Sequence, residues 1–164
     1  MRSSIGLAAL LSGALTVVSA ASAQDVSEQR LTPDQFPWPQ SQANQLGSGM
    51  VQGLQTTFLV GDGASEGLYT LVFHLPPNNQ VQPHSHPDPR SCFVLSGLWY
   101  FAYGDVYDET ALQLLPPGSH YTEPSGRTHF AATRETDVLV ECTAFGPTGT
   151  TFVNAADDPR PGGN

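Results

Sequence analysis

The chain has 164 residues, with fifteen Asp and Glu, six Arg and no Lys, so its formal net charge is −9 at pH 7. This acidic balance argues against nucleic acid and anionic membrane surfaces as partners, although solubility alone would also account for it. The length is sufficient for one domain with its own hydrophobic core.

The first 23 residues have the pattern of a secretory signal peptide. Arg2 precedes a mostly apolar run over residues 5–18, and the small-x-small site Ala21-Ser22-Ala23 follows it. The run is too short to favour a membrane span, although an uncleaved anchor or a buried helix would give the same pattern. We therefore expect an exported protein, periplasmic or secreted, from which residues 1–23 are removed and which then has no membrane association.

Two polar segments flank the expected domain, which spans residues 46–153. Residues 24–45 are rich in proline and glutamine, and we expect them to form an extended N-terminal arm. Phe36 and Trp38 in this arm would pack either on the domain of the same chain or on a second subunit of a homodimer. Residues 154–164 contain Asp, Pro and Gly and are expected to form a flexible C-terminal tail.

Short β-rich segments, most of them separated by Gly, Pro, Asn or Asp, fill the region between the arm and the tail. No stretch shows a long helical period. Many short strands at this spacing predict an all-β sandwich or barrel. The predicted strands cover residues 53–60, 68–75, 80–86, 92–102, 111–115, 120–123, 128–132 and 138–145.

Three histidines have the arrangement expected of a metal site. His84 and His86 are alternate residues of a predicted strand, so their side chains point to the same face. His129 follows a turn that contains Pro and Gly and lies in another predicted strand. Neutral imidazoles that converge from two strands bind one divalent transition metal, and iron, manganese, copper, nickel and zinc all suit them. Three ordinary buried histidines are the alternative.

The same residues carry a resemblance to the cupin superfamily. The first cupin motif is Gly, five residues, His-x-His, three or four residues, Glu, six residues and Gly, and the corresponding residues here are Asn78, His84, His86, Arg90 and Gly97. The second motif is Gly, five residues, Pro-x-Gly, two residues, His, three residues and Asn, and it corresponds to Gly118, Pro124, Gly126, His129 and Thr133. The resemblance extends over about residues 68–146 and implies a single antiparallel β-barrel, also described as a double-stranded β-helix or jelly roll.

Three positions depart from these motifs. Asn78 replaces a glycine, a mild change because Asn tolerates left-handed backbone angles, and Thr133 replaces a structural asparagine. Arg90 replaces the glutamate that often supplies a fourth metal ligand, and a guanidinium cannot bind a cation. The resemblance therefore implies either a three-histidine site with open positions or a site that takes another oxygen ligand.

Glu123 and Arg90 are the candidate catalytic residues. Glu123 would act as the missing fourth ligand or as a catalytic base, and a solvated glutamate at a strand end is the alternative. Arg90 would point inward, contact Glu123 or a substrate carboxylate, and give the pocket a preference for small anions. Alternatively, Arg90 would lie at the surface in an ion pair with Asp88. We expect His120 to be a half-exposed strand residue and His74 to be structural.

The chain contains two cysteines, Cys92 and Cys142. An even pair in an exported chain allows a disulfide, and the cupin resemblance implies that their strands lie side by side. Directly paired strands often miss disulfide geometry, so two buried free thiols are the alternative.

The resemblance and the open three-histidine site together favour a metal-dependent oxidoreductase of dioxygenase or oxidase type, which acts on a small organic substrate. Arg90 favours an anionic substrate. A non-redox metal-dependent lyase or isomerase is the enzymatic alternative, and a non-catalytic protein that binds a small ligand through its metal is the alternative from another class. The chain has no glycine-rich phosphate loop and no Cys-x-x-Cys motif.

Overall fold

The protein forms two antiparallel β-sheets in a computed structural model that describes residues 26–38, 51, 53–158 and 160. The predicted signal peptide lies outside the described residues. Short 3-10 turns occur at Pro33–Gln35, Glu109–Ala111 and Ala155–Asp157. The predicted all-β class is confirmed. The strands are β1 (Gln55–Val60), β2 (Gly67–Leu75), β3 (Gln80–Ser85), β4 (Arg90–Ser96), β5 (Trp99–Tyr103), β6 (Gln113–Leu115), β7 (His120–Glu123), β8 (His129–Ala132), β9 (Val138–Gly146) and β10 (Thr151–Phe152).

The strand orders are β1-β2-β9-β4-β7 in one sheet and β10-β3-β8-β5-β6 in the other. Alternation along each strand turns one set of side chains towards the space between the sheets. On β9, for example, Val138, Val140 and Cys142 are fully buried, and their partners on β2 include Leu71 and Leu75. The core therefore lies between the sheets. Among the described residues, no helix is long and apolar enough to cross a membrane.

The prediction of one continuous strand over residues 92–102 is wrong. The chain forms β4 in the first sheet and then crosses to the second sheet, where it forms β5. Gly97 lies at this break with φ 78°, in the left-handed region that side chains disfavour. A Cβ at this position would clash with the carbonyl oxygen of Asp137. Strand β10, which pairs with β3, was not predicted. The other predicted strands are found, with each end within two residues of the prediction.

Cys92 and Cys142 form a disulfide, and their Cα atoms are 4.2 Å apart. The two residues lie directly opposite each other on β4 and β9, and both are fully buried. The sequence left open a disulfide or two buried free thiols, and the structure contains the disulfide.

The N-terminal arm packs along the sheet of its own chain. Thr57 Oγ1 donates a hydrogen bond to the carbonyl oxygen of Pro37 at 2.9 Å, and the Trp38 and His74 rings lie 6.3 Å apart. At the other end of the chain, the Arg160 guanidinium donates to the carbonyl oxygen of Thr150 at 2.9 Å. Both flanking segments therefore have contacts with the domain.

Candidate metal centre

The structure brings His84, His86 and His129 together between the sheets. His84 lies on β3 directly opposite His129 on β8, and His86 follows the end of β3. All three are at most 3% exposed. One ring nitrogen of each histidine lies within 4.8 Å of the corresponding nitrogens of the other two. Strand alternation and pairing of β3 with β8 thus produce a compact cluster of three imidazoles.

The other ring nitrogen of each histidine is held by the backbone. Nδ1 of His84 lies 2.7 Å from the carbonyl oxygen of Gln82, Nδ1 of His86 lies 2.6 Å from that of Gly149, and Nδ1 of His129 lies 3.1 Å from that of Arg127. Because a carbonyl oxygen only accepts hydrogen bonds, each Nδ1 carries a proton and each Nε2 presents a lone pair. This is the arrangement in which outer contacts orient metal-binding histidines.

Burial keeps the imidazoles of His84 and His86 neutral. It lowers the pKa of His84 and that of His86 well below the usual value for histidine. The nearby His129 lowers the pKa of His84 further, and the Arg90 charge does the same for His86. Nε2 of His129 is buried and has no hydrogen-bond partner among the described residues. The three buried Nε2 atoms, one of them without a partner, fit a transition-metal ion.

Glu123 extends the cluster from the opposite sheet. Its carboxylate is buried, with Oε2 3.4 Å from Nε2 of His86 and Oε1 3.7 Å from Nε2 of His129. On β7, Glu123 lies directly opposite Arg90 of β4, the position that carries the glutamate of the cupin motif. A carboxylate from the neighbouring strand thus lies beside the histidines, and the solvated alternative for Glu123 is wrong.

Arg90 is buried and lies at the centre of a polar network behind Glu123. Its Nε lies 3.3 Å from Oδ2 of Asp88, its Nη1 lies 3.4 Å from Oε2 of Glu123, and its Nη2 donates to Thr148 Oγ1 at 2.5 Å. The Tyr69 hydroxyl donates to Asp88. The sequence offered Glu123 and a surface Asp88 as alternative partners. Arg90 contacts both carboxylates, and both are buried rather than at the surface.

The charges in this network leave an excess of negative charge. Burial tends to lower the pKa of Arg90, but Glu123 and Asp88 are among the groups that raise it above its usual value, so Arg90 is charged. Burial also raises the pKa of Tyr69, to about 12, so that Tyr69 remains a neutral donor. Two buried carboxylates therefore face one guanidinium. Since an uncompensated buried charge is costly, this excess favours a bound cation.

A largely apolar cavity opens from the histidine cluster. Its volume is about 40 Å³, which is room for about three waters at ~10–15 Å³ each. Phe101 forms part of its wall, and its ring stacks on that of His129 with 5.4 Å between the centroids. The wall also contains Trp99 and the apolar side chains of Leu54, Leu71, Phe73, Leu75, Val81 and Ala131.

The other histidines lie outside this cluster. His120 is exposed on the outer face of β7, where its Nε2 lies 3.0 Å from Ser91 Oγ. Nε2 of His74 lies 3.3 Å from a carboxylate oxygen of Asp137.

Residues 63–67 read Gly-x-Ser-x-Gly, a pattern typical of a serine nucleophile. However, these residues connect two strands, and the Ser65 hydroxyl donates to Asp62 at 3.1 Å.

Sequence reasoning missed the groups that support the site. Thr148 and Gly149 lie beyond β9 and belong to neither cupin motif, yet they contact Arg90 and His86. Tyr69 was not singled out, and it contacts Asp88 from β2. No local pattern identifies such partners, because the contacts join residues 19 to 63 positions apart.

Comparisons with known proteins agree with this fold. The sequence matches the family of the ChrR cupin-like domain over residues 28–148. No protein with a curated description matches the chain. The polyketide cyclase RemF from Streptomyces resistomycificus is similar in structure, with a TM-score of 0.61 and 18% identity over 81% of this chain and 90% of that one.

Two further solved structures are similar to the chain. The DMSP lyase DddQ from Ruegeria pomeroyi has a TM-score of 0.55 and 24% identity over 71% of this chain and 60% of that one. A salicylate 1,2-dioxygenase variant from Pseudoaminobacter salicylatoxidans, in complex with gentisate, has a TM-score of 0.51 and 13% identity over 63% of this chain and 30% of that one. These likenesses show the fold and confirm the cupin architecture predicted from the motifs. The chain belongs to the ChrR cupin-like domain family of the cupin superfamily.

Proposed function

We propose that the chain binds one transition-metal ion and oxidises a small organic substrate, as a dioxygenase or an oxidase. The observation that carries this proposal is the convergence of His84, His86 and His129 with the Glu123 carboxylate at the end of an apolar cavity. Cupins commonly bind a metal, and neutral imidazoles suit iron, manganese, copper, nickel and zinc.

In this proposal, the groups of the site hold the ion, orient its ligands and act on the substrate. His84, His86 and His129 hold the ion through Nε2, and the backbone carbonyls at their Nδ1 atoms fix the ring orientations. Glu123 either completes the ligand set or takes a proton from the substrate. A redox-active ion supplies electron exchange between substrate and dioxygen, whereas zinc supplies Lewis acidity. Burial of the cluster excludes bulk water from the reaction.

Arg90 is assigned to the orientation of Glu123, and its side-chain contacts use three of its five N–H groups. Each of its three nitrogens already lies within hydrogen-bond distance of a side-chain oxygen, on Asp88, Glu123 and Thr148. The Arg90 guanidinium therefore orients the carboxylate of Glu123 and balances part of its charge.

A non-redox lyase or isomerase is the second candidate. It is favoured by Glu123 itself, because a buried carboxylate held beside a cation can act as a general base without any oxidant. A protein that only binds a small ligand through the metal is the third.

Oxygen consumption separates these candidates. The protein would be loaded with iron(II) without oxygen and then mixed with candidate phenols, diketones and sugars under air. We expect metal-dependent oxygen uptake that is lost in His129→Ala and kept in His120→Ala, the matched control on the outer face. Turnover of the same compounds without oxygen would support the lyase or isomerase, and binding without turnover would support the binding protein.

We also propose that the protein is exported. Disulfides persist in oxidising compartments, so the buried Cys92–Cys142 bridge supports a location outside the cytoplasm. Sequencing of the mature N-terminus should give Gln24 as the first residue, and an intact Met1 in protein from the cytoplasm would contradict export.

A further inference from the structure

The segment that connects β9 to β10 is in contact with the metal cluster. The carbonyl oxygen of Gly149 lies 2.6 Å from Nδ1 of His86, and Oγ1 of Thr150 lies 3.5 Å from the same nitrogen. Thr148, one residue earlier, accepts a hydrogen bond from Arg90 at 2.5 Å. The orientation of the His86 imidazole therefore depends on how firmly residues 148–150 are held.

His86 differs in this respect from the other two histidines. Nδ1 of His84 and Nδ1 of His129 each contact the carbonyl oxygen of the residue two positions earlier, so their own strands or turns fix those rings. The partner of His86 is Gly149, which lies 63 positions further along the chain. Because this contact is not local, the segment that supplies it needs an anchor of its own.

Arg160 supplies such an anchor from the C-terminal side. Its Nη2 donates to the carbonyl oxygen of Thr150 at 2.9 Å and to Oδ2 of Asp158 at 2.6 Å, and its Nε donates to Oδ1 of Asp158 at 2.7 Å. Two parallel hydrogen bonds to one carboxylate fix the plane of a guanidinium. The Asp158 side chain is 3% exposed, so the pair is held against the domain.

We propose that Arg160 is a positioning residue of the metal centre, which acts on His86 through Thr150. Asp158 fixes the guanidinium, and the hydrogen bond to the Thr150 carbonyl restricts residues 148–150. The Gly149 carbonyl then holds the Nδ1–H of His86, so that Nε2 points at the ion. The proposal rests on the metal site proposed above, and it gives a task to the segment that the sequence predicts to be a flexible tail.

Zinc affinity should fall when the guanidinium is removed. Loss of an outer partner of a metal-binding histidine lowers metal affinity ~10–100-fold, and Arg160 acts one contact further away, so we expect ~3- to 10-fold weaker zinc binding in Arg160→Met. Competition with a chromophoric chelator measures this affinity. Arg134→Met is the matched control, because the Arg134 guanidinium pairs with exposed Glu109 and packs on Tyr100. That variant should bind zinc like the wild type.

Solvent exchange of the imidazole Nδ1 protons separates positioning from a general loosening of the fold. In isotope-labelled, metal-free protein, the Nδ1–H of His86 should exchange faster in Arg160→Met than in the wild type, because its acceptor on Gly149 is less firmly held. The Nδ1–H of His129, whose acceptor is the carbonyl oxygen of Arg127, should exchange at the wild-type rate. A loss of stability throughout the domain would accelerate exchange at both histidines.

Asp158→Asn is the second variant, for use if Arg160→Met does not fold. It weakens the ion pair that fixes the guanidinium and should change zinc affinity and His86 exchange in the same direction. Equal zinc affinity in the variant and the wild type, or the same change in exchange at His86 and His129, would overturn the proposal. Failure of the metal site itself is distinguishable, because wild-type protein would then bind no zinc, whereas the exchange measurement needs no metal.

Discussion

Replacement of Arg90 by Leu removes a buried cation that lies beside two buried carboxylates. The side chains of Asp88 and Glu123 are 3% and 6% exposed and lie 3.3 and 3.4 Å from the guanidinium. Removal of one partner from a buried ion pair costs ~3–5 kcal/mol, because the charge left behind is neither solvated nor paired. This is a large part of the ~5–15 kcal/mol that stabilises a typical domain.

The assay is urea and thermal unfolding of metal-free protein. At roughly 3–5 °C per kcal/mol for a domain of this size, we expect the melting temperature of Arg90→Leu to fall by roughly 10–25 °C. The melting temperature of Arg90→Lys should fall less, because lysine keeps the positive charge but cannot keep all three side-chain contacts of the guanidinium. Added zinc should restore part of the loss in Arg90→Leu, because Glu123 then has a cation beside it. The double variant Arg90→Leu with Asp88→Asn should also recover part of it.

The matched control is Arg134→Leu. Arg134 pairs with Glu109 at 3.4 Å, but both side chains are exposed, at 42% and 66%. Exposed pairs contribute ~0–1 kcal/mol, so this variant should unfold close to the wild type. If metal-free Arg90→Leu also unfolds within about 1 kcal/mol of the wild type, the two carboxylates do not depend on Arg90, and the charge balance inferred for the site is wrong.

Two further predictions follow from buried groups. Because Cys92 and Cys142 are bonded, titration of denatured, unreduced protein should find no free thiol, and two free thiols would contradict the bridge. Burial lowers the pKa of His84 and of His86 in the folded protein, so below about pH 6.5 the unfolded chain binds protons that the folded chain does not. The unfolding free energy of metal-free protein should therefore fall as the pH drops below about 6.5, by up to ~1.4 kcal/mol per pH unit for each histidine. The fall should be less steep in His84→Gln, which has one such histidine fewer. An equal slope in that variant would contradict the role of His84 in this pH dependence.

Local patterns predicted the parts of the fold that depend on neighbouring residues. Alternation put His84 and His86 on one face, and Pro and Gly marked the turn before His129. The positive φ of Asn78, 59°, agrees with its place at a motif glycine. Thr133, at the motif asparagine, ties the turn before β3 by donating to the carbonyl oxygen of Pro76 at 2.6 Å.

Long-range contacts were not predictable in this way. The break at Gly97 follows from the close approach of Asp137, and β10 exists only because it pairs with β3. Neither the sequence around Gly97 nor that of β10 identifies the segment with which it is in contact. The motif showed that a carboxylate was missing at Arg90, but only the register of β4 and β7 shows that Glu123 lies opposite it.

The proximity of Trp99 and Tyr121 illustrates the same limit. Trp99 and Tyr121 each look like ordinary core aromatics in their own strands, and both are buried. They lie on β5 and β7, in different sheets, so their proximity depends on how the sheets pack against each other. Hydrophobic periodicity fixes which face a side chain takes, but it does not fix which side chain from another sheet lies across from it.

The central claim is that His84, His86 and His129 hold one metal ion, and elemental analysis tests it most directly. Protein purified from its native compartment should contain about one transition-metal ion per chain, at the stoichiometry expected for a single mononuclear site. His84→Ala should lose most of this metal, while His120→Ala, the exposed control, should keep it. Full metal content in His84→Ala would contradict the assignment.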